Sequence, residues 1–180
     1  DWRFGVMDMQ TGAVEEDGLP AQNFSVFALQ RRVFSRSNIG VLLVNKESAN
    51  SSYNRNLGVE YNLASSTNLW TGKLLYLKAF QSGNRNGGAV YAGHLQYNSR
   101  RWLINGQMEN VDPNYVAEAG YVPRRGFHRG GTAIGHTFLP EGGRILSHGP
   151  IFNSSNFFDW SGKLSDYETT LGYTVTTRGL

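Results

Sequence analysis

The chain has 180 residues, of which 13% are aromatic and 17% charged, with a net charge of +3 and no cysteine. This length fits one domain, and the combination of few charges with many aromatic residues excludes an intrinsically disordered chain. The absence of cysteine excludes disulfides, thiol catalysis and cysteine-based zinc sites. Basic residues are dispersed in pairs, so we expect no nucleic-acid partner.

No apolar run is long enough to form a transmembrane helix. The first residues, beginning at Asp1, do not show the pattern of a signal peptide. We therefore expect a processed protein or an internal fragment.

Apolar and polar residues alternate with period two through most of the chain, which predicts β-strands. In the clearest stretch, 56–63, Leu57, Val59 and Tyr61 alternate with polar or small residues. Strands are predicted near residues 3–10, 23–34, 37–46, 56–66, 70–80, 88–98, 101–109, 129–139, 144–153, 156–162 and 166–177. Their usual length of about 8–12 residues is closer to transmembrane β-strands than to globular ones.

We therefore expect an all-β, antiparallel, up-and-down meander of about 10–11 strands, forming a transmembrane-type β-barrel or a fragment of a larger one. Residues 1–180 would form a single β-barrel domain. Long predicted connections (11–22, 46–55, 81–87 and 110–128) alternate with tight turns (35–37, 67–69, 99–100 and 140–143). This alternation is typical of outer-membrane barrels, although it weakens at the short predicted connection 153–155.

Alternation alone does not tell which face of the sheet points outward. Two features favour a membrane barrel with a polar interior. The polar faces carry Asn, Gln, Gly and Thr more than Lys or Glu, and aromatic residues lie at strand ends, as Trp70, Phe80 and Trp102 do. Because aromatic residues also favour strands in general, a soluble barrel that binds a small apolar ligand stays an alternative.

The sequence holds no catalytic or metal-binding motif. The four histidines, His94, His128, His136 and His148, lack metal-ligand spacing. A shared site of His94 and His136 is conceivable, but we expect separate histidines bonded to neighbouring amides. We expect no cofactor, metal or catalytic residue. A glycan-degrading enzyme stays an alternative, because such enzymes need two carboxylates, and Glu60 and Glu109 lie on polar faces.

The longest predicted loop, 110–128, is a candidate ligand-binding segment. It ends in Arg124 and Arg125, and Arg129 follows. Their guanidinium groups suit carboxylates, phosphates or sugar hydroxyls. The loop either folds inward as a plug or faces a ligand; we favour an ordered loop whose arginines pair with Glu60 or Glu109. The candidate ligand-binding residues are Glu60, His94, Glu109, Arg124, Arg125 and Arg129.

A second basic feature is predicted at the tight-turn ends of the strands. It consists of six arginines: Arg31, Arg32, Arg36, Arg100, Arg101 and Arg144. If the predicted topology holds, they form one rim. The rim would meet another module or an anionic glycan, or it would be ordinary solvated charge, which we favour.

Several segments resemble an uncharacterised family of bacterial outer-membrane-type β-barrel domains that follow a module similar to the family-nine carbohydrate-binding modules. They are Phe4–Thr11, Pro20–Val26, Gln30–Val33, Ser37–Leu42, Tyr53–Glu60 and Gly120–Gly126. The resemblance covers most of residues 2–129, and members are typical of Bacteroidota.

The resemblance implies an exported protein of the bacterial outer membrane, with a longer barrel and an upstream module that this chain does not include. The resemblance carries over no settled activity and no catalytic residue. We expect a structural, transport or anchoring role, linked to carbohydrate handling by the expected partner module, and no enzymatic activity. The implied partners are outer-membrane lipid, a glycan, and a partner chain or missing barrel segment.

Overall fold

The computed structural model describes residues 1–84, 87–120 and 122–178. They contain ten β-strands in a single antiparallel sheet, in which each strand pairs with its neighbours in sequence. The strands are β1 (Trp2–Thr11), β2 (Gln22–Val33), β3 (Ser37–Ser48), β4 (Tyr53–Ala64), β5 (Trp70–Gln81), β6 (Ala89–Asn98), β7 (Trp102–Val111), β8 (Phe127–His136), β9 (Ile145–Asp159) and β10 (Leu164–Thr177). The predicted all-β, up-and-down meander is confirmed.

The sheet is open. Within the described residues, β1 pairs only with β2 and β10 only with β9, so the two outer strands are not joined. Because the number of strands is even, β1 begins and β10 ends at the same edge of the sheet. No helix among the described residues is long and apolar enough to cross a membrane.

One predicted connection is wrong. The predicted strands 144–153 and 156–162 form one strand, β9, and Asn153–Ser155 lies inside it. Asn153 pairs with Ala133 of β8 and with Thr170 of β10. Turn-forming residue types are overridden here because the backbone has a pairing partner on each side.

The connections alternate less clearly than predicted. One edge of the sheet, the short-turn edge, carries connections 34–36, 65–69, 99–101 and 137–144; the other, the long-loop edge, carries 12–21, 49–52, 82–88, 112–126 and 160–163. The predicted loop 46–55 shrinks to four residues, whereas the predicted tight turn 140–143 belongs to an eight-residue connection. Arg85 and Asn86 of the predicted loop 81–87, and Tyr121 of loop 110–128, lie outside the described residues.

The two faces of the sheet differ in burial. On β4, Asn54, Asn56 and Gly58 are buried, whereas Leu57 and Val59 are exposed. Because directly paired residues share a face, the register extends this division from strand to strand. We call the face of Asn54, Asn56 and Glu60 the inner face, and the face of Leu57 and Val59 the outer face.

The outer face is apolar in its middle and is not covered. Its exposed large side chains include Phe4, Phe27, Val41, Leu57, Val59, Leu74, Leu95, Ile104, Ile134 and Leu171. Only six apolar residues among those described are buried, namely Ala79, Ala89, Val90, Val111, Tyr115 and Phe127. The large side chains of this sheet therefore point mostly away from its core.

Aromatic side chains cluster near both ends of the outer face. Close to the short-turn edge, Trp102 and His136 have ring centroids 4.4 Å apart, and the contacts continue through Phe138 and His148. His148 Nδ1 lies 2.6 Å from the hydroxyl of Tyr173 on β10. At the long-loop edge, His128 stacks on Trp160 with a centroid distance of 4.6 Å.

Candidate functional site

A row of polar side chains crosses the inner face of β2 to β5. Lys73 Nζ lies 2.6 Å from Glu60 Oε2. Asn62 Nδ2 donates to Glu60 Oε1 at 3.0 Å and to Asn38 Oδ1 at 2.8 Å. Gln30 Nε2 donates to the same Asn38 oxygen at 2.7 Å. These side-chain contacts link four neighbouring strands, β2 to β5, on the inner face of the sheet.

The row continues on β6 to β8 around a cavity of about 200 Å³, which Lys73, His94, Gln107, Glu109 and Arg129 line together with smaller apolar residues. Arg129 Nη1 lies 4.0 Å from Glu109 Oε2, and Arg129 Nε donates to Ser155 Oγ at 3.2 Å. The cavity therefore presents two cations, one carboxylate, an imidazole and an amide.

Strand register explains these pairs. Glu109 is directly opposite Arg129 in the β7–β8 ladder, and Lys73 is directly opposite both Asn62 and His94. Glu60 is two residues from Asn62 and therefore meets Lys73 diagonally, which is within reach of a long side chain. The cluster thus follows from which residues share the inner face.

The connection between β7 and β8, residues 112–126, folds onto the inner face. Tyr115 is 3% exposed and packs with Ala79, Val90, Val111 and Phe127, the main buried apolar cluster. The carbonyl of Asn114 accepts a hydrogen bond from the amide of Gly88 at 3.2 Å. We call residues 112–126 the inward loop; it covers the inner face near the long-loop edge.

Two residues of distant strands hold the inward loop. Asn54 of β4 is 1% exposed; its Nδ2 donates to the carbonyl of Val116 at 3.0 Å, and its Oδ1 accepts from the amide of Glu118 at 3.2 Å. Lys46 Nζ of β3 lies 2.6 Å from Glu118 Oε2. The loop thus reaches from β7 to β3 and crosses the inner face of the strands between them.

The structure brings together three of the six candidate ligand-binding residues. His94, Glu109 and Arg129 line the same cavity, and Glu60 is joined to it through Lys73. Arg124 and Arg125 lie elsewhere.

The predicted pairing of these arginines with Glu60 or Glu109 holds for Arg129, which faces Glu109. It is wrong for Arg124 and Arg125, whose side chains have other acceptors. Arg124 Nη1 lies 3.3 Å from Asp166 Oδ2, and Arg125 Nη1 donates to the carbonyl of Tyr115 at 3.3 Å. The inward loop is ordered, but it is held by Asn54 and Lys46 instead.

The shared site conceived for His94 and His136 does not form, because the two residues face opposite sides of the sheet. His94 is on the inner face opposite Lys73, whereas His136 packs against Trp102 on the outer face. Within the part of the chain that the structure describes, no three acidic or histidine residues are placed to hold a metal ion.

Sequence reasoning missed Asn54, Lys46 and the role of Lys73. Asn54 was placed in a loop, although the alternation of Asn54, Asn56 and Gly58 continues the pattern of β4 upstream. Lys73 is not among the residues that the sequence singled out. Following the alternation two residues further upstream would have found Asn54, and a search for opposite charges on one face would have found Lys73.

The inner face combines hydrogen-bond donors and acceptors of both charges around a small cavity. Such a surface suits polar solutes with several hydroxyl, amide or ionic groups and no dominant charge. Burial raises the pKa of Tyr115 in the inward loop above its usual value of 10.0, so this phenol stays protonated at neutral pH.

Compared with known protein families, curated proteins and solved structures, the chain finds no match in any of the three.

Proposed function

We propose that this chain is a segment of a bacterial outer-membrane β-barrel with a structural, transport or anchoring role. The observation that carries the proposal is the reversed arrangement of the two faces. Asn54 and Asn56 are buried on the inner face, whereas Leu57 and Val59 on the same strand are 44% and 42% exposed. A soluble barrel requires the opposite order, while lipid is the natural surrounding of an exposed apolar band.

The aromatic residues support the same reading. Trp70 and Phe80 are ten residues apart on the outer face of β5, which corresponds to about 33 Å along the strand. Near the short-turn edge, Trp70 packs on Tyr97 with ring centroids 5.0 Å apart. Rings at both borders of an apolar band are typical of the two membrane–water interfaces, because they are apolar with a polar edge.

The band also slants across the strands. Phe4 on β1 is connected to Leu164 on β10 by successive pairs of directly opposite residues, one pair for each two neighbouring strands. The apolar outer residues of β10, however, centre near Leu171. The band therefore drifts by roughly six to seven residues over nine pairings, which corresponds to a strand tilt of roughly 25° at ~3.3 Å per residue and ~4.8 Å between strands. Transmembrane barrels have somewhat larger tilts of about 35–45°.

In this proposal the inner face lines the lumen, and the inward loop narrows it near the long-loop edge. The polar row from Gln30 to Arg129 then lies along the path of a solute. Polar lumen walls and an inward-folded loop are typical of channels that restrict passage. A link to carbohydrate handling rests on the resemblance of the sequence alone, and a glycan is the solute it favours.

No specific observation favours either of the two alternative functions, a soluble ligand-binding barrel and a glycan-degrading enzyme. A soluble barrel for an apolar ligand needs an apolar interior, whereas the interior row is polar. A glycan-degrading enzyme needs two carboxylates free to act, whereas Glu60 and Glu109 each face a cation. The proposed role requires no catalytic residue.

The test compares folding with and without micelles, followed by circular dichroism and by the shift of gel mobility on heating. We expect a heat-modifiable β-form only in micelles. A monodisperse β-protein in plain buffer would refute the proposal.

A pair of variants tests the outer face directly. Val59→Arg places a charge in the middle of the apolar band and is expected to cost about 2–4 kcal/mol of stability in lipid. Ser25→Arg, on the same face near the long-loop edge, is expected to cost about 0–1 kcal/mol. Equal, small effects of both substitutions on the unfolding midpoint in vesicles would contradict a lipid-facing Val59.

A further inference from the structure

Charge is distributed unequally between the two edges of the sheet. Among the described residues, the short-turn edge carries eight arginines and two acids, Asp1 and Glu141. The arginines, which we call the arginine rim, are Arg3, Arg31, Arg32, Arg36, Arg100, Arg101, Arg144 and Arg178. The long-loop edge is rich in acids instead: Glu15, Glu16, Asp17, Glu47, Asp112, Glu118, Asp159 and Asp166.

The arginine rim is exposed and almost unneutralised. All eight side chains are exposed. In residues 1–84, 87–120 and 122–178, the single ion pair that a rim arginine makes joins Arg32 to Asp1 at 3.9 Å. Cations that are not paired within the sheet are available to an anionic partner outside it.

The kind of cation is also uniform. Three of the four lysines, Lys46, Lys78 and Lys163, lie away from this edge. The fourth, Lys73, is in the same row of paired residues as Arg32, but it pairs with Glu60 on the inner face. Arginine differs from lysine because its planar guanidinium group binds a phosphate through two parallel hydrogen bonds. The arginine composition of the rim therefore favours direct binding of phosphate groups over a long-range attraction to negative charge in general.

Aromatic side chains adjoin the rim on the outer face. The guanidinium carbon of Arg31 lies 5.0 Å from the centre of the Trp2 ring. Trp102 directly follows Arg101, and its carbonyl accepts the amide of Ser99 at 2.8 Å, which closes the turn that presents Arg100 and Arg101. An aromatic border with arginines just beyond it matches the sequence of chemical layers at a membrane surface, where headgroups follow the interface.

We propose that the arginine rim binds the phosphate groups of anionic phospholipids at the membrane surface on the short-turn side. This inference rests on the proposed function, since it requires the aromatic border to lie at the interface. It adds a lipid preference and an anchoring contact that a barrel with neutral turns would lack.

The test measures partitioning of the full chain into vesicles by flotation. Vesicles of phosphatidylcholine are compared with a three-to-one mixture of phosphatidylcholine and phosphatidylglycerol, at low and high salt. Arg100→Gln/Arg101→Gln removes two charges of the rim; the control, Arg55→Gln/Lys163→Gln, removes two charges at the long-loop edge. An arginine near an anionic surface contributes about a fivefold gain in partitioning, so the rim variant should lose about 25-fold in the mixed vesicles.

The outcomes separate the two proposals. We expect the loss only for the rim variant, only in anionic vesicles, and reduced at high salt because of screening. Equal losses for both variants, or no gain from phosphatidylglycerol, would overturn the lipid site while leaving the barrel intact. A chain that enters neither vesicle would overturn both. Retention on immobilised polygalacturonate without a gain from phosphatidylglycerol would assign the rim to an acidic polysaccharide instead.

Discussion

Replacing Asn54 with alanine should release the inward loop from the inner face. The Asn54 side chain makes three hydrogen bonds, to Val116, Glu118 and Asn56, with lengths of 3.0, 3.2 and 2.8 Å. Each hydrogen bond contributes about 1 kcal/mol net, and buried partners left without one add to the loss. Only the bonds to Val116 and Glu118 reach the loop, because Asn56 is on the same strand as Asn54. The docked state of the loop should therefore lose about 2 kcal/mol.

That loss corresponds to roughly a 30-fold larger open fraction of the loop, since about 1.4 kcal/mol is a factor of ten. Hydrogen exchange of the Glu118 amide, which donates to Asn54 in the docked state, should accelerate by a similar factor in micelles. Trypsin cleavage after Arg124 and Arg125 should accelerate as well.

Asn62→Ala provides the matched control. Asn62 is on the same strand and face and also makes two side-chain hydrogen bonds, to Asn38 and Glu60, but it does not contact the loop. Its removal should leave exchange at Glu118 unchanged. If Asn54→Ala and Asn62→Ala gave the same exchange rates, the loop would not be held by Asn54, and the reasoning from these contacts would be refuted.

Two further predictions concern charged or titrating groups. Burial raises the pKa of Tyr115 above its usual value of 10.0. The contribution of Tyr115 to loop docking is therefore complete below pH 10.0 and falls as the pH rises through the pKa of the folded state. Loss of docking should add to the acceleration of hydrogen exchange at Glu118 at alkaline pH in the wild type, and Tyr115→Phe should lack this added acceleration. Lys73→Met leaves Glu60 without its cation and should cost about 1 kcal/mol, since the pair is partly exposed. Lys73→Met/Glu60→Gln should restore most of that in thermal unfolding in micelles, and a double variant as unstable as the single one would argue against the pair.

The fold class could be predicted because strand alternation is a local property. In a sheet that is apolar on one face, each residue carries its own signal, as Leu57 and Val59 do. The continuity of strand β9 could not be predicted, because Asn153, Ser154 and Ser155 have the composition of a turn. Their pairing with β8 and β10 supplies the energy that their local preference lacks.

The candidate site was accessible only in part. His94, Glu109 and Arg129 share a face in the predicted strands, so their meeting needed only the register between neighbours. The position of the inward loop depends on contacts over 62 and 64 residues, from Asn54 to Val116 and Glu118. No local pattern encodes such a distance. Placement on the polar strand faces suggested Glu60 and Glu109 as partners for Arg124 and Arg125, which pair elsewhere.

The inward loop indicates which face of the sheet points inward, as the alternation of residues along the strands does. A loop with Tyr115 and Ala117 needs an apolar surface to pack on, and Leu77, Ala79 and Val90 supply one on the inner face. Apolar residues also occur beyond the loop, since Leu75 and Ala92 line the cavity together with Lys73, His94 and Gln107. The inner face therefore has two zones, an apolar one that docks the loop and a mixed one, with polar and apolar side chains, that lines the cavity.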